Sequence, residues 1–403
     1  MNTTNPVAPA PARVLSLDAF RGFVMLLMMD SALRIAKIAE SFPESGFWQT
    51  LTFHTEHVKW TGCSLHDLIQ PAFSFLVGAS LPFSIANREA RGEGFGWMLL
   101  HAAWRALLLM FLGIFLRSMG AGQTNWTFMD TLTQIGMGYV FLFLLAYTRS
   151  QFIQWAAVVA IVVGYGAAFA LYPLPAADFD YAAVSVKPNE PGRFDGFMAH
   201  WNKNANLAAD VDVWFLNQFP REKTFTHERS GYTTLNFVPT LATMILGVIA
   251  GGWMRKEWSG GIKLLAFVVA GAVGIALGEA SELLGLCPVV KIIWTPAWVL
   301  YSGGWTFLLL AGFYLVIDMI GFWQWAYPLF VIGANSIVAY CAYHMIRPFI
   351  ISSYRTHLGP DLFKLFDGYG GVQWEPMVTG VVVLFTLWLI LLWMYRTKVF
   401  VRI

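Results

Sequence analysis

His54, Glu56 and His57 stand close together, and Asp67 follows ten residues after His57. A histidine titrates near neutral pH, so beside a carboxylate it can take a proton from an amine while the carboxylate orients the ring. His57 is therefore a candidate base, with Glu56 and Asp67 as the neighbouring carboxylates, and a satisfied structural histidine is the alternative. Two histidines with acidic neighbours can also hold a metal, but no third ligand follows at a defined spacing, so no metal is expected. The same segment carries Trp60-Thr-Gly62, and His54 and Trp60 are candidates for holding the substrate.

A second polar group precedes it. Asp18, Arg21 and Asp30 lie in an otherwise apolar stretch, where charge is costly and usually faces a protein-lined cavity. Asp18 and Arg21 are three apart and share a helix face, which also suits a plain ion pair. His101 and Arg105, four apart, add cationic character. With Arg21 they would form a basic mouth for a phosphate-bearing ligand, since arginine grips phosphate oxygens in pairs. Ser302 beside Gly303 and Gly304, and Asn335 in the middle of a later span, are the polar positions a ligand threading the bundle would meet. His344 lies near the outer end of that span. Glu279 and Glu282 share a face and are the feature that favours a proton-coupled carrier.

The elements that must position these groups are membrane helices. The chain has 403 residues, of which 57% are hydrophobic and only 12% charged. Soluble domains carry about 25% charged residues. A net charge of +2 gives no basis for binding nucleic acid, and three cysteines make no disulfide framework. Stretches of about 20 apolar residues are needed to cross the hydrocarbon core. About ten are predicted: 17–38, 65–86, 97–116, 128–148, 153–174, 234–254, 264–284, 294–317, 325–346 and 376–395. The fold class is all-α, a polytopic membrane bundle. Residues 1–13 read as a flexible tail and 14–403 as one transmembrane domain. An even count puts both termini on one side, and short basic loops with Arg88, Arg91, Arg255, Lys256 and Lys263 mark that side as cytoplasmic. The one long connection, about 175–231, is then extracytoplasmic. Its Trp201, Trp214 and Asn206 suit contact with a sugar. No internal repeat of the kind many carriers show is evident.

The motifs resemble the transmembrane acyltransferase family that includes heparan-α-glucosaminide N-acetyltransferase and bacterial DUF5009-type relatives. The resemblance rests on Ser16-Leu-Asp-Ala-Phe-Arg-Gly22, on His57-x-x-Trp60-x-Gly62 leading to Asp67-Leu-Ile-x-Pro71, and on Phe75-x-x-Gly78-x-Ser80. Weaker echoes are Asn206-Leu-Ala-Ala-Asp210, Pro239-Thr-Leu-Ala-Thr243 and Trp294-Thr-Pro296. It implies a multi-pass enzyme of the bacterial inner membrane that moves an acetyl group from cytosolic acetyl-CoA to an extracytoplasmic amino sugar such as glucosamine. His57 falls on the family's active-site histidine. Where the family has an asparagine near the outer end of its first span, this chain offers Asp30. Only a short tail precedes the first motif, so no large lumenal domain is expected and heparan sulfate is not the expected acceptor. The expected partners are the amino sugar and membrane lipid, with a homodimer left open. A carrier for N-acetylglucosamine or a similar sugar is the rival reading.

Overall fold

The computed structural model describes residues 14–188 and 190–401, so the expected tail, residues 1–13, lies outside the described residues. Within them the chain is helical, with no named strand. In order, the helices are α1 (Leu15–Met29), α2 (Ile35–Ala39), α3 (Gly46–Thr55), α4 (Ile69–Ala90), α5 (Phe95–Ser118), α6 (Thr131–Tyr147) and α7 (Gln151–Leu171). They continue with α8 (Leu207–Leu216), α9 (Phe237–Arg255), α10 (Gly260–Leu283), α11 (Pro296–Phe313), α12 (Tyr327–Ala334), α13 (Ser336–Leu358) and α14 (Glu375–Arg396).

Seven helices among the described residues are long and apolar enough to cross a membrane, or eight if α12 and α13 count as one bent span. The other predicted spans fall on shorter helices. At 15 residues α1 is about 22 Å long, short of a hydrocarbon core of about 30 Å. It gives way at Asp30 to a 3-10 turn, and Arg34 then takes a left-handed conformation (φ 49°), so the chain leaves the helix where sequence periodicity carries it on to Ile38. Helix α6 has 17 residues and is capped by Asp130, whose carboxylate accepts from the Leu132 and Thr133 amides.

The ninth predicted span is broken. α12 and α13 meet at 70°, and Asn335 sits at the elbow rather than inside a straight helix. Its side chain fastens the chain beyond α14, donating to the Val399 carbonyl (3.0 Å) and accepting from the Val401 amide (3.0 Å). Helix α13 then runs on to Leu358, which places His344 and Arg347 in its middle and not near its end.

Helix α9 is the centre of the bundle: 83% of its apolar span is buried, against 11% for α10. Small residues let α4 lie directly on it. A Cβ added at Gly78 would stand 1.9 Å from the Met244 carbonyl oxygen, and one at Gly247 1.9 Å from that of Phe75. The first motif fixes α1 to its neighbours in the same spirit. The Ser16 hydroxyl donates to Asp318 beyond α11, Arg21 pairs with Asp18 at 3.2 Å and donates to Ser80 of α4, and Gly22 backs onto the Leu329 carbonyl of α12. Ser16-to-Gly22 and Phe75-to-Ser80, far apart in sequence, are thus in contact.

Candidate active site

Two connecting segments build the site. After α3 the chain is extended at Glu56, then turns at Gly62, whose φ of +100° is a conformation that side chains with a Cβ rarely adopt. There Thr61 forms an antiparallel bridge with Val290, and the Gly62 amide donates to the Val289 carbonyl (3.1 Å). The opposite segment is held by Thr295, the N-cap of α11, whose hydroxyl donates to the Pro288 carbonyl and accepts from the Val290 and Trp298 amides. The two segments are thereby locked face to face, and Lys291 is delivered beside His57.

Asp67 stands at the middle of the cluster, 1% exposed, in the 3-10 turn His66–Leu68. One carboxylate oxygen accepts from the Val58 amide (3.1 Å), the Ser64 amide (3.1 Å) and the Ser64 hydroxyl (2.9 Å). The other faces His57 Nδ1 at 2.8 Å and Lys291 Nζ at 3.3 Å. Five donor groups face one carboxylate, with the single proton of the Ser64 hydroxyl shared between Asp67 and the Glu56 carbonyl, and this is the environment of an ionised, acceptor-only group. The tautomer protonated at Nδ1 donates to Asp67 and leaves the lone pair on Nε2, whereas the other tautomer would accept at Nδ1 from Lys291. The Nδ1 edge is turned inward while the side chain as a whole is 49% exposed. Lys291, 5% exposed, lies 3.0 Å from the same Nδ1. Burial lowers the His57 pKa below its ordinary value; the Asp67 bond opposes that drop and the Lys291 cation adds to it. Burial and Lys291 thus favour the neutral ring, the form that can act as a base.

A second pair lies beside the first. The His66 ring is 4.5 Å from that of His57, centroid to centroid, and His66 Nδ1 stands 3.4 Å from Asp30. Both of these facing atoms are buried without a hydrogen bond. Asp30 thus meets His66 and reaches His57 only through it. Glu56 is exposed, and it contributes its backbone carbonyl, which accepts from the Ser64 hydroxyl (2.6 Å). His54 is at the rim, where its Nδ1 accepts from the Leu65 amide (3.3 Å).

The remaining candidates are placed elsewhere. Trp60 is 1% exposed, packed beneath Gly192, Gly231 and Lys203, so it supports the site from below. Asn206 is spent as the N-cap of α8, a helix the sequence reading of this long connection did not foresee. Trp201 is buried in a stack with Phe169, whereas Trp214 is exposed. Ser302 is fully buried and bonds the Trp298 carbonyl within its own helix. Arg105 lies over the Tyr139 ring and donates to its hydroxyl (2.9 Å), with its Nε buried and unbonded; His101, one turn away, is exposed. Asp18 and Arg21 are held by α1 and α4, so the two basic positions have different partners. Glu282 accepts from the Val289 amide (2.7 Å), bracing the lysine segment, and Glu279 is exposed at the end of α10. Among the described residues no group of three or more metal-ligating side chains comes together.

Sequence reasoning marks the stretch Ser64-Leu-His-Asp-Leu68 but gives Ser64 and His66 no role, and it passes over Lys291. Lys291 had a signal: it is a lone cation in Pro288-Val-Val-Lys-Ile-Ile293, the kind of isolated charge that singled out Asp30.

Helices of membrane-spanning length around a buried carboxylate, an oriented histidine and a lysine define a multi-pass membrane protein with an acid–base site. The chain is similar to heparan-alpha-glucosaminide N-acetyltransferase of Homo sapiens, 24% identical over 434 residues that cover 98% of this chain. It is similar also to the Mus musculus protein of that name, 22% identical over 431 residues and 97% of this chain. In both cases the chain spans 60% of the relative's own length. No family model matches it. The similarity runs through almost the whole chain, well beyond the motifs read from the sequence.

Proposed function

We propose that this protein is a transmembrane N-acetyltransferase that moves an acetyl group from acetyl-CoA to the amine of an amino sugar, with His57 as the base. The observation that carries the reading is the His57–Asp67–Lys291 cluster: a half-exposed imidazole held at Nδ1 by a buried carboxylate that a buried lysine also faces, and in this reading the Nδ1–H tautomer leaves Nε2 as the base. The names of the two relatives supply the reaction class. The attacking amine gives its proton to His57 Nε2 as the new C–N bond forms at the thioester carbonyl. When the C–S bond breaks, the imidazolium returns that proton to the departing thiolate. Asp67 stabilises the imidazolium meanwhile, and Lys291 keeps Asp67 ionised. A variant in which Nε2 itself carries the acetyl group uses the same residues.

The donor would enter from the cytoplasmic side, where Asp18, Arg21 and Arg105 stand. The unbonded Nε of Arg105 is the observation that fits a phosphate there. In this reading the shorter α1 and α6 complete ten crossings, both termini face the cytoplasm, and the membrane is the bacterial inner membrane. The carrier alternative gains nothing from Glu279 and Glu282, which end a helix and brace a loop.

The test is acetyl transfer by purified protein in nanodiscs, using labelled acetyl-CoA and glucosamine beside His57→Ala. Labelled N-acetylglucosamine from the wild type alone is the expected result. No turnover across a panel of amino sugars, with sugar counterflow in liposomes, would overturn the reading in favour of a carrier.

A further inference from the structure

Between the Arg34 turn and α13 lies an open cavity of about 820 Å³ whose wall is cationic. Arg34, Arg347 and Arg355 line it together with Tyr343, His344 and Ser352. The volume is that of a small-molecule site. Arg34 has no acidic partner among the described residues, and the polar contact of Arg347 is the neutral Tyr343 hydroxyl (3.1 Å), over whose ring it also lies. Arg355 alone is paired, with Glu375 at 3.0 Å. Three guanidinium groups stand against one carboxylate, and Arg34 and Arg355 are exposed, so their donors are open to an anion that enters the cavity.

The cavity is also connected to the reacting centre. Tyr343 exchanges a hydrogen bond with Ser31 (2.8 Å), the residue after Asp30, and Asp30 faces His66, whose ring lies against that of His57. Arg34 follows on the turn that Asp30 opens. These contacts tie the cavity wall to the reacting centre through Ser31, Asp30 and His66, so an acceptor large enough to reach both would set its amine at His57 and an anionic group against the arginines.

We infer that this cavity binds an anionic oxygen group, a carboxylate or a phosphate, carried by the acceptor, so that the preferred acceptor is an acidic amino sugar rather than glucosamine itself. Paired N–H donors of arginine match both groups in geometry and charge, and an unsubstituted sugar would leave them unanswered. The inference rests on the acetyltransferase reading for its substrate, though not for its anion.

The experiment uses the full chain in phosphatidylcholine nanodiscs, with glucosamine, glucosamine 6-phosphate and muramic acid as probes. Labelled acetyl transfer is measured for the wild type, Arg34→Gln/Arg347→Gln and Arg34→Lys/Arg347→Lys. The expected result is a preference of tenfold or more in kcat/KM for the acidic probes, lost through KM in the glutamine variant and partly kept in the lysine variant. An unchanged preference in the glutamine variant would overturn the proposal. So would a loss that falls on the KM for acetyl-CoA, which would give the cavity to the donor's phosphates. An effect seen only when anionic lipid is added would give it to a lipid headgroup, and equally overturns an acceptor site. Calorimetric binding of glucosamine 6-phosphate to His57→Ala protein separates the two readings. Tighter binding than glucosamine, abolished by the added glutamine substitutions, supports the anion site even if no probe is acetylated; equal binding of both sugars sinks it.

Discussion

Two histidine–aspartate pairs lie side by side in this protein, and they are built differently. In the first, His57 meets Asp67 at 2.8 Å, and four further donors surround the carboxylate. In the second, His66 and Asp30 stand 3.4 Å apart with both facing atoms unbonded. The residue types are the same, so the difference lies in what surrounds the carboxylate. Asp67 sits in a turn that aims two backbone amides and a hydroxyl at it, and across from a lysine that another segment delivers. Asp30 starts a 3-10 turn after α1, where the backbone offers its side chain nothing. A histidine becomes a dependable base when its carboxylate is already fixed, since the ring then has one tautomer and one orientation.

The comparison breaks first at the histidines. His57→Ala should lower acetyl transfer by about 10²–10⁴-fold, the span of general base catalysis, while His66→Ala should cost less than about tenfold. Equal losses in the two variants, at equal protein yield in nanodiscs, would mean that the well-bonded pair is structural. The carboxylates give the next effect. Asp67→Asn should reduce the rate by about 10²-fold or more, because an amide cannot accept from every donor around that site. It should also destabilise by about 3–5 kcal/mol, since Lys291 is left buried without its anion. Adding Lys291→Met should recover most of the thermal stability and none of the rate. Recovery of both would show that Asp67 serves only to neutralise the lysine. Asp30→Asn should stay within about tenfold of wild type in the same transfer assay.

Lys291 sharpens the comparison through pH. Its cation lowers the His57 pKa, so Lys291→Met should raise that pKa and carry the acid limb of the kcat/KM profile to higher pH. The variant's loss should accordingly be larger at pH 6 than at pH 8. A parallel loss at both values would mean that the lysine acts on the fold and not on the imidazole.

How much of this was legible beforehand follows from the range of each interaction. His57, Asp67 and Asp30 could be found because a charge or a histidine in an apolar chain is conspicuous in itself. Which aspartate serves which histidine could not, because the answer depends on a turn at Gly62 and on a bridge from Thr61 to Val290 that joins distant segments. Lys291 depends on the same bridge. Hydropathy located the helices but not their ends: it ran α1 past Asp30 and drew one straight span through Asn335. Both breaks are made by polar side chains and the backbone, to which a hydropathy window is blind. The motif Ser16-to-Gly22 drew attention as chemistry, yet its side chains are engaged in holding α1 to α4 and to the chain beyond α11.

A third buried carboxylate extends the comparison to a group with no histidine at all. Asp212 of α8 lies outside the apolar spans, 1% exposed, and accepts from the Thr234 amide with both oxygens (3.1 and 3.0 Å). Burial outweighs what Thr234 and the Arg221 cation offer and pushes its pKa up to about 7, whereas Asp67, equally buried, lies against His57, Lys291 and the Val58 and Ser64 amides. The sign of the consequence follows. The folded state holds a proton on Asp212 that the unfolded state releases at ordinary carboxylate pH, so its contribution to stability is complete below about pH 4 and is lost as pH rises through 7. Asp212→Asn keeps an oxygen for Thr234 and removes the charge. Its thermal midpoint should therefore lie above that of the wild type at pH 8, by a smaller margin at pH 5, and meet it only below about pH 4, with acetyl transfer changed by less than about twofold. Melting curves of the two proteins across that range decide it: a gap that stays constant with pH would mean that Asp212 keeps an ordinary carboxylate pKa in the folded protein and that its few partners answer it as fully as the active-site carboxylate is answered.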